Sequence, residues 1–250
     1  MKIIISPAKK MKNDFEDSHP LTTPIYLDKT HRLLAYLKSL SLKELQILLA
    51  CNEKIALLNY ERFQKMDLKK HTTAALLSYE GIQYQYMAPQ VFEEGYYRYV
   101  SEHLRILSGF YGILKPFDGI VLYRLEMQAK LKTDFCDNLY DFWQDDLYRD
   151  LKDEVIVNLA SKEYSHAIKK YVAKENWIDV SFKEEIDGKL KEKGVYVKMA
   201  RGEMVRFMAT RQINDLEGLK QFDGLGYTYN QEASSEGQYV FSRKEKEKIC

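Results

Sequence analysis

The residues of this chain that are best suited to bind an anion surround a glycine-containing turn near its middle. Gly109 and Gly112 interrupt a helical pattern, and Pro116 followed by an Asp-Gly pair prevents the helix from continuing. Hydroxyl and cationic side chains flank these glycines: Arg105, Ser108, Lys115 and Arg124. Glycine lets the main chain approach a ligand, and amides near a helix end favour an anion. The segment therefore predicts a phosphate-contacting hairpin; the alternative is a helix cap that leads into a buried strand.

Two predicted strand ends carry further candidates. The apolar run KIII predicts a buried strand, and Ser6 and Lys9 follow it closely. The run VIVNLA predicts a second buried strand, in which Asn158 precedes the end and Ser161 caps the following helix. Ligands of α/β sheets usually lie at the carboxyl ends of the strands, so both places are candidate binding loops. For Lys9 a solvated position near the terminus is the alternative.

A third candidate is a pair of arginines at the beginning of a predicted helix. Arg201 and Arg206 follow a predicted strand, within one or two turns of the helix start. Main-chain amides at a helix N-terminus and guanidinium groups both bind phosphate oxygens. This segment is therefore the second place where we expect phosphate, and a solvated helix face is the alternative.

Catalytic chemistry has few candidates in this sequence. Glu126, in YRLEM beside Arg124, is the best acid–base candidate, although a carboxylate next to an arginine is more often an ionised structural partner. Lys9 is a candidate nucleophile, and Asn158 is a candidate polar group near it. The chain lacks the Walker and GxGxxG nucleotide motifs, the HExxH of metalloproteases and the GxSxG of hydrolases. Whether the chain is an enzyme stays undecided, and we predict no cofactor and no metal site.

Composition and charge are those of an ordinary globular protein. Hydrophobic residues make up 45% and charged residues 30% of the 250 residues. Thirty-eight basic and 37 acidic side chains give a formal charge of +1, so a nucleic-acid surface has to be a local patch. The three cysteines form no CxxC pair, and no apolar run is long enough for a signal peptide or a membrane span. We therefore expect a cytoplasmic protein without membrane contact and without an obligatory protein partner.

Helix and strand patterns alternate along the chain, and no linker divides it. We predict one mixed α/β (α+β) body, residues 1–250, with a central, mostly buried sheet and a helical insertion at about 29–107. The predicted helices are 29–39, one from the capping box Ser41–Glu44, one from Asn52, 73–78, 92–107, one from 139, 161–172 and one from 201. The predicted strands are 2–5, 79–87, 120–122, 155–160, a hairpin of 178–185 with 194–200, and a last hairpin near the carboxyl end.

Seven motifs, in this order, resemble the YaaA peroxide-stress protein family. They are ISPAK at 5–9, LSGFYGILKPFD at 107–118, YRLEM at 123–127, LYDFW at 139–143, NLASKEY at 158–164, ARGEMVRF at 200–207 and the closing GY, SS and FSR. The match is collinear over essentially the whole chain. The resemblance implies a bacterial, cytosolic protein that is made under hydrogen peroxide stress. It also implies a protein that keeps unincorporated iron low and so limits oxidative damage to DNA.

The same resemblance implies binding to double-stranded or locally distorted DNA through a positively charged cleft and a helix-hairpin-helix element. We place that element at residues 104–115, with the helix pair at 41–66 as the second candidate. Six cations would line the cleft: Lys9, Arg105, Lys115, Arg124, Arg201 and Arg206. The alternative is an enzyme acting on damaged DNA or on a nucleotide-like substrate, in which Lys9, Glu126 and Asn158 carry the chemistry and Arg201 holds the anion. Direct iron binding is disfavoured because the sequence has no cluster of histidines and cysteines.

Overall fold

An eight-stranded mixed sheet is the frame of the molecule. The computed structural model describes residues 1–13, 19–70 and 73–245. Its strands are β1 Lys2–Ile5, β2 Lys10–Met11, β3 Thr73–Ala74, β4 Tyr79–Glu80, β5 Leu104–Ser108, β6 Gly112–Leu114, β7 Gly119–Ile120, β8 Ile156–Leu159, β9 Trp177–Ile186, β10 Lys189–Lys191, β11 Thr228–Tyr229 and β12 Gln238–Lys244. The strand order of the large sheet is β11-β12-β9-β8-β1-β5-β6, and β10 pairs with β9 beside this path. The short strands β2 with β4, and β3 with β7, form two further ribbons.

The middle of the large sheet is parallel. Strand β1 pairs in parallel with both β5 and β8, and β9 pairs in parallel with β8 and β12. Ile3, Ile4 and Ile5 are fully buried, as expected for a central strand that is covered on both faces. The predicted strands at 2–5 and 155–160 are therefore confirmed as β1 and β8. One contiguous core of buried apolar side chains runs through the described residues, so they form a single α/β body.

Helices dominate the chain between β2 and β5. The helices of the protein are α1 Leu27–Ser39, α2 Leu42–Leu49, α3 Glu53–Lys65, α4 Ala75–Ser78, α5 Ile82–Met87, α6 Glu94–His103, α7 Leu139–Trp143, α8 Asp146–Arg149, α9 Lys162–Lys169, α10 Gly194–Arg211 and α11 Leu216–Leu219. The predicted caps of α2 and α3 are confirmed. Ser41 and Glu44 form a capping box, and Asn52 Oδ1 accepts a hydrogen bond from the Ile55 amide at 3.0 Å. Within the described ranges, no helix combines the length and apolar character that a membrane crossing requires.

The prediction of a helix over 92–107 is wrong in its last part. Helix α6 ends at His103, and Leu104–Ser108 form strand β5, every residue of which is buried. The apolar residues after His103 continue the helical spacing of α6, but the sheet buries them on its two faces. The spacing alone therefore placed the end of the helix too late. The main chain of this segment pairs with β1 on one side and with β6 on the other. The predicted helix-hairpin-helix at residues 104–115 is therefore wrong, because this segment is a β-hairpin.

The predicted strand at 194–200 is also wrong, because these residues open helix α10. Its buried residues Val197, Ala200, Met204 and Met208 recur at helical spacing, whereas the alternation of valines near the start imitates a strand. The hairpin partner of β9 is instead β10, which the chain reaches through the predicted Asp187-Gly188 turn. Both turn residues have positive φ, 51° and 70°, which suits a tight hairpin connection.

Two weaker strand predictions are only partly correct. Of the predicted strand 79–87, only β4 is extended, and the remainder is helix α5. Of the predicted strand 120–122, only Ile120 belongs to a strand, the short β7. Helix α9 begins after Ser161 as predicted but ends at Lys169. The last hairpin is present as β11 and β12, which pair antiparallel.

Candidate functional site

Two serines join neighbouring strands at the carboxyl edge of the sheet. Ser6 follows β1 and Ser161 follows β8, and these strands are adjacent and parallel. The Ser161 amide donates a hydrogen bond to Ser6 Oγ at 2.8 Å, and the two Oγ atoms are 3.2 Å apart. The loop after β1 and the start of α9 are therefore fixed against each other. Ser161 precedes α9 without a side-chain cap, and its hydroxyl accepts from Ser6 Oγ instead.

A cleft with two compartments opens beside these serines. The first compartment has a volume of about 460 Å³ and lies between the loop after β1, helix α5 and the YRLEM segment. The second compartment has a volume of about 660 Å³ and lies between β9 and helices α9 and α10. Both compartments share three lining residues, namely Ser161, Lys198 and Arg201. The two spaces therefore meet at a polar wall that carries two cations.

Three charged residues form a compact group on the rim of the first compartment. Lys9 Nζ lies 3.1 Å from Glu126 Oε1. Arg124 donates to the same oxygen through Nε at 3.1 Å and through Nη2 at 2.8 Å. Two cations thus share one carboxylate, so this group keeps a positive charge of one. Glu126 thus makes the ion-pair contacts that its position beside an arginine indicates.

Arg201 is a partly buried cation of the shared wall. Its Nε atom is buried and has no hydrogen-bond partner among the described residues. Burial lowers the pKa of the Arg201 guanidinium, against the opposing effect of Glu192 and Asp179. An arginine stays protonated at any physiological pH, so a charged group is held here with one donor unused. Lys198, one turn earlier on α10, is exposed at the shared wall.

Close packing of helices α5 and α10 brings a buried amide to the wall of the first compartment. Gly202 permits this contact, because a Cβ atom at that position would lie 2.0 Å from the main-chain oxygen of Gln83. Gln83 lines the first compartment and is only 7% exposed. Its Nε2 atom is buried without a hydrogen-bond partner in the described part of the chain. Two unused donors, one on Gln83 and one on Arg201, therefore come from neighbouring positions of two packed helices.

Tyrosines form the floor of the first compartment. Tyr84 donates a hydrogen bond to the main-chain oxygen of Ser6 at 3.0 Å, and the Tyr123 hydroxyl lies 2.7 Å from that of Tyr79. Burial raises the pKa of Tyr123 to about 12 and the pKa values of Tyr79, Tyr84 and Tyr164 well above their ordinary value. These phenols are therefore neutral at physiological pH. Neutral tyrosines therefore line the first compartment together with the cations of its rim.

Asn158 is fixed by hydrogen bonds in the second compartment. Its Nδ2 donates to Asp179 Oδ1 at 2.8 Å, and its Oδ1 accepts from the Ala160 amide at 2.9 Å. Lys169 Nζ lies 2.6 Å from Asp179 Oδ2. Burial raises the pKa of the Asp179 carboxyl, but the hydrogen bonds from Lys169 and Asn158 outweigh burial and leave the pKa below its ordinary value. Asn158 thus holds the Asp179 carboxylate in place.

The structure places three of the six predicted cations outside this cleft. Arg105 lies at the beginning of β5, away from the carboxyl edge, and its Nε is 2.6 Å from Asp150 Oδ2. Lys115 lies near a separate cavity of about 160 Å³, beside Asp118 and Asp150. Arg206 is five residues after Arg201, about 140° further round the helix, and lines neither compartment. Lys9, Arg124 and Arg201 are the predicted cations that the fold brings together.

The residues of the glycine turn serve packing. Ser108 Oγ accepts hydrogen bonds from the amides of Phe110 and Tyr111, at 3.1 and 2.9 Å. The Gly109 oxygen accepts from Trp143 Nε1 at 3.0 Å, and a Cβ atom on Gly109 would lie 2.5 Å from a main-chain oxygen. Gly112 has a φ of +81°, which favours glycine. The turn is therefore occupied by internal contacts, as the alternative interpretation of a buried connection expected.

Several residues of the cleft escaped prediction. Lys10, Lys198 and Gln83 line it, as do the tyrosines of the floor and Asp179. Lys10 could have been predicted as a site residue because it directly follows Lys9. No feature of the sequence around Gln83 indicates a site residue. Among the described residues no group of three or more histidine, cysteine, aspartate or glutamate side chains is arranged to hold a metal ion.

Comparison of the sequence with known proteins shows its family. The family model of the peroxide stress protein YaaA matches residues 1–233. A UPF0246 protein of Desulfitobacterium hafniense is 59% identical over 99% of this chain and 100% of its own length. UPF0246 proteins of Agathobacter rectalis and Pediococcus pentosaceus are 53% and 50% identical, each over 98% of this chain and 99% of their own length. The chain therefore belongs to the YaaA peroxide stress protein family.

Proposed function

We propose that this chain acts in the peroxide stress response by binding the phosphate backbone of DNA in the two-compartment cleft. The observation that carries the proposal is the shared wall, where Lys198 and Arg201 lie beside the start of α9. Arginine and lysine side chains near a helix N-terminus are usual partners of phosphate oxygens. Protein bound to DNA would shield the bound stretch from iron-driven oxidation. Binding would in this way protect DNA under peroxide stress.

The charge of the cleft supports an anionic ligand. Seven lysine and arginine side chains and five carboxylates line the two compartments, so the cleft carries a net charge of +2 while the whole chain carries +1. The cations are Lys9, Lys10, Arg124, Lys162, Lys169, Lys198 and Arg201. Because only some of them are free of carboxylate partners, we expect few phosphate contacts, modest affinity and a clear dependence on salt.

The salt dependence of DNA binding tests this proposal. Fluorescence anisotropy with a labelled duplex gives the association constant at several salt concentrations, and the logarithmic slope is roughly −0.9 per neutralised phosphate. Lys198→Gln is expected to weaken binding at every sequence and to reduce the slope by about 1. Lys115→Gln is the matched control, since Lys115 is also exposed but lies outside the cleft. Affinity that is independent of salt, or equal losses in both variants, would contradict the proposal.

The helix pair α2–α3 is a second candidate DNA contact within the same function. Only residues 50–52 join the two helices, and Ala50 adopts the left-handed conformation with a φ of 45°. The Lys130 amide donates to the Leu48 oxygen at 3.3 Å, so the pair adjoins the segment that follows YRLEM. The amides of Ala50 and Cys51 already donate to the main-chain oxygens of Ile47 and Gln46, so a phosphate would meet the start of α3. Replacement of Lys54, exposed at the start of α3, by glutamine tests the contact in the same assay.

A second candidate function is an enzyme that acts on damaged DNA or a nucleotide-like substrate. Lys9 favours it, because its side chain is 68% exposed and borders the enclosed first compartment. A lysine amine can form a Schiff base with a sugar aldehyde. Borohydride treatment of the protein with a duplex that contains an abasic site would trap the adduct. The absence of a trapped adduct in the wild-type protein, with a known lyase as positive control, would exclude this version.

A further inference from the structure

Two hydrogen-bond donors are left unused in the wall of the first compartment. The amide nitrogen of Gln83 and the Nε of Arg201 are both buried without partners among the described residues. A buried donor without an acceptor is costly, and native proteins keep few of them. Gln83 is 7% exposed and lines the compartment, so a ligand in this space is the available source of an acceptor.

The position of the two donors is built into the packing of the helices. Gly202 lets α10 approach the main chain of α5, so that a Cβ atom there would be 2.0 Å from the Gln83 oxygen. Arg201 precedes this glycine, and its side chain lines both compartments. Gln83 thus lines the first compartment, and Arg201 lines both compartments. A ligand that satisfies both has two acceptor-bearing parts.

The floor of the first compartment is aromatic and apolar. Tyr84, Tyr123 and Tyr164 line it together with Ile82 and Leu125. Aromatic side chains bind nucleobases by stacking, and this contact tolerates every base. A volume of about 460 Å³ is that of a small-molecule site. A DNA duplex, whose major groove alone is about 12 Å wide, is too large to enter it.

We propose that the first compartment receives one unpaired nucleotide of the bound DNA. This inference rests on the proposed function and names the part of the DNA that the cleft recognises. The base lies against the tyrosine floor with an acceptor on its edge toward Gln83, and its phosphate lies at Lys198 and Arg201. The second compartment holds the next sugar and phosphate, where the buried Ser181 hydroxyl also lacks a partner in the described chain.

Unpaired bases are then favoured over paired ones. A paired base has to leave the stack before it enters the compartment, and that step is least costly where the base is already unpaired. Phosphate contacts outside the compartment are the same for both kinds of DNA. We therefore expect a duplex with one extra, unpaired thymine to bind about tenfold more tightly than the same duplex fully paired.

The test compares two labelled duplexes, identical except for one bulged thymine, by fluorescence anisotropy at fixed salt. Wild-type protein is expected to prefer the bulged duplex about tenfold. Gln83→Leu is expected to lose this preference and to keep its affinity for the paired duplex, because only the base contact is removed. Gln85→Leu is the matched control, since Gln85 is exposed on the same short helix. It is expected to bind as the wild-type protein does.

The outcomes separate this inference from the proposed function. Equal affinity of the wild-type protein for both duplexes, with no effect of Gln83→Leu, overturns the inference and leaves phosphate binding intact. No binding of either duplex at low salt overturns the proposed function and the inference with it. A second measurement does not depend on a variant: saturating wild-type protein is expected to protect the bulged thymine from permanganate oxidation. Undiminished reactivity of that thymine also overturns the inference.

Discussion

Replacement of Gln83 by leucine is expected to stabilise the folded protein. Leucine has a similar volume, but it carries no polar group. The substitution removes an amide nitrogen that is buried without a partner among the described residues, on a side chain that is 7% exposed. A residue kept for ligand binding at the expense of stability is expected to behave in this way.

The size of the effect follows from the desolvation of one donor. A buried donor without a partner costs about 1–3 kcal/mol, and some of this gain is lost to imperfect packing of the new side chain. We therefore expect the free energy of unfolding to rise by about 1–2 kcal/mol. For a chain of this length 1 kcal/mol corresponds to about 2–4 °C, so Tm is expected to rise by roughly 2–8 °C. Gln85→Leu, at an exposed position of α5, is expected to change the free energy of unfolding by less than about 0.5 kcal/mol.

Urea unfolding of the three proteins measures these differences, and a thermal scan provides an independent value. An unchanged m-value would show that the substitution acts on stability and not on the extent of unfolding. If Gln83→Leu lowers the free energy of unfolding by about 1 kcal/mol or more, the amide has a partner inside the protein. The unused donor, and with it the reason to expect a base at this position, would then be refuted.

Three further predictions concern the framework of the site. Gly202→Ala should destabilise the protein by about 1–3 kcal/mol, since the new methyl group meets the Gln83 oxygen; Gly194→Ala, in open space on the same helix, is the control in urea unfolding. Trp143→Phe should cost about 1–3 kcal/mol in the same assay, because it leaves the carbonyl of the glycine turn unpaired. The pKa of buried Glu184 lies below its ordinary value because two cations outweigh burial. The stability that the Glu184 carboxylate gives to the folded protein should therefore persist above about pH 4.5 and fade as the pH drops further. If the urea midpoints of wild type and Glu184→Gln fall in parallel on acidification, this carboxylate does not cause the loss of stability.

The strands and caps that the sequence predicted correctly are those fixed by local composition. Three consecutive isoleucines can be buried only in the middle of a sheet or core, and β1 is there. The capping box of α2 depends on two side chains three residues apart, which is a local property. Residues 104–108 were misassigned because their apolar spacing continues that of α6, while pairing with β1 decides their conformation.

The candidate site was predictable to the extent that it depends on strand ends. Ser6 and Ser161 follow two buried runs, and adjacent parallel strands bring them within hydrogen-bond distance. Arg105 was misleading, because a residue near the glycine turn in sequence lies at the amino end of its strand in space. Gln83 could not be predicted, since its position depends on contact between α5 and α10 across more than a hundred residues.

The most direct test of DNA binding in the cleft is hydrogen–deuterium exchange of the main-chain amides with and without a DNA duplex. Amides at the start of α9, in the loop after β1 and in the first half of α10 are expected to exchange more slowly when DNA is bound. Residues 104–118 are expected to exchange at the same rate in both states. Protection confined to residues 104–118, or no protection at the start of α9 under conditions of saturated binding, would contradict the assignment of the cleft as the DNA site.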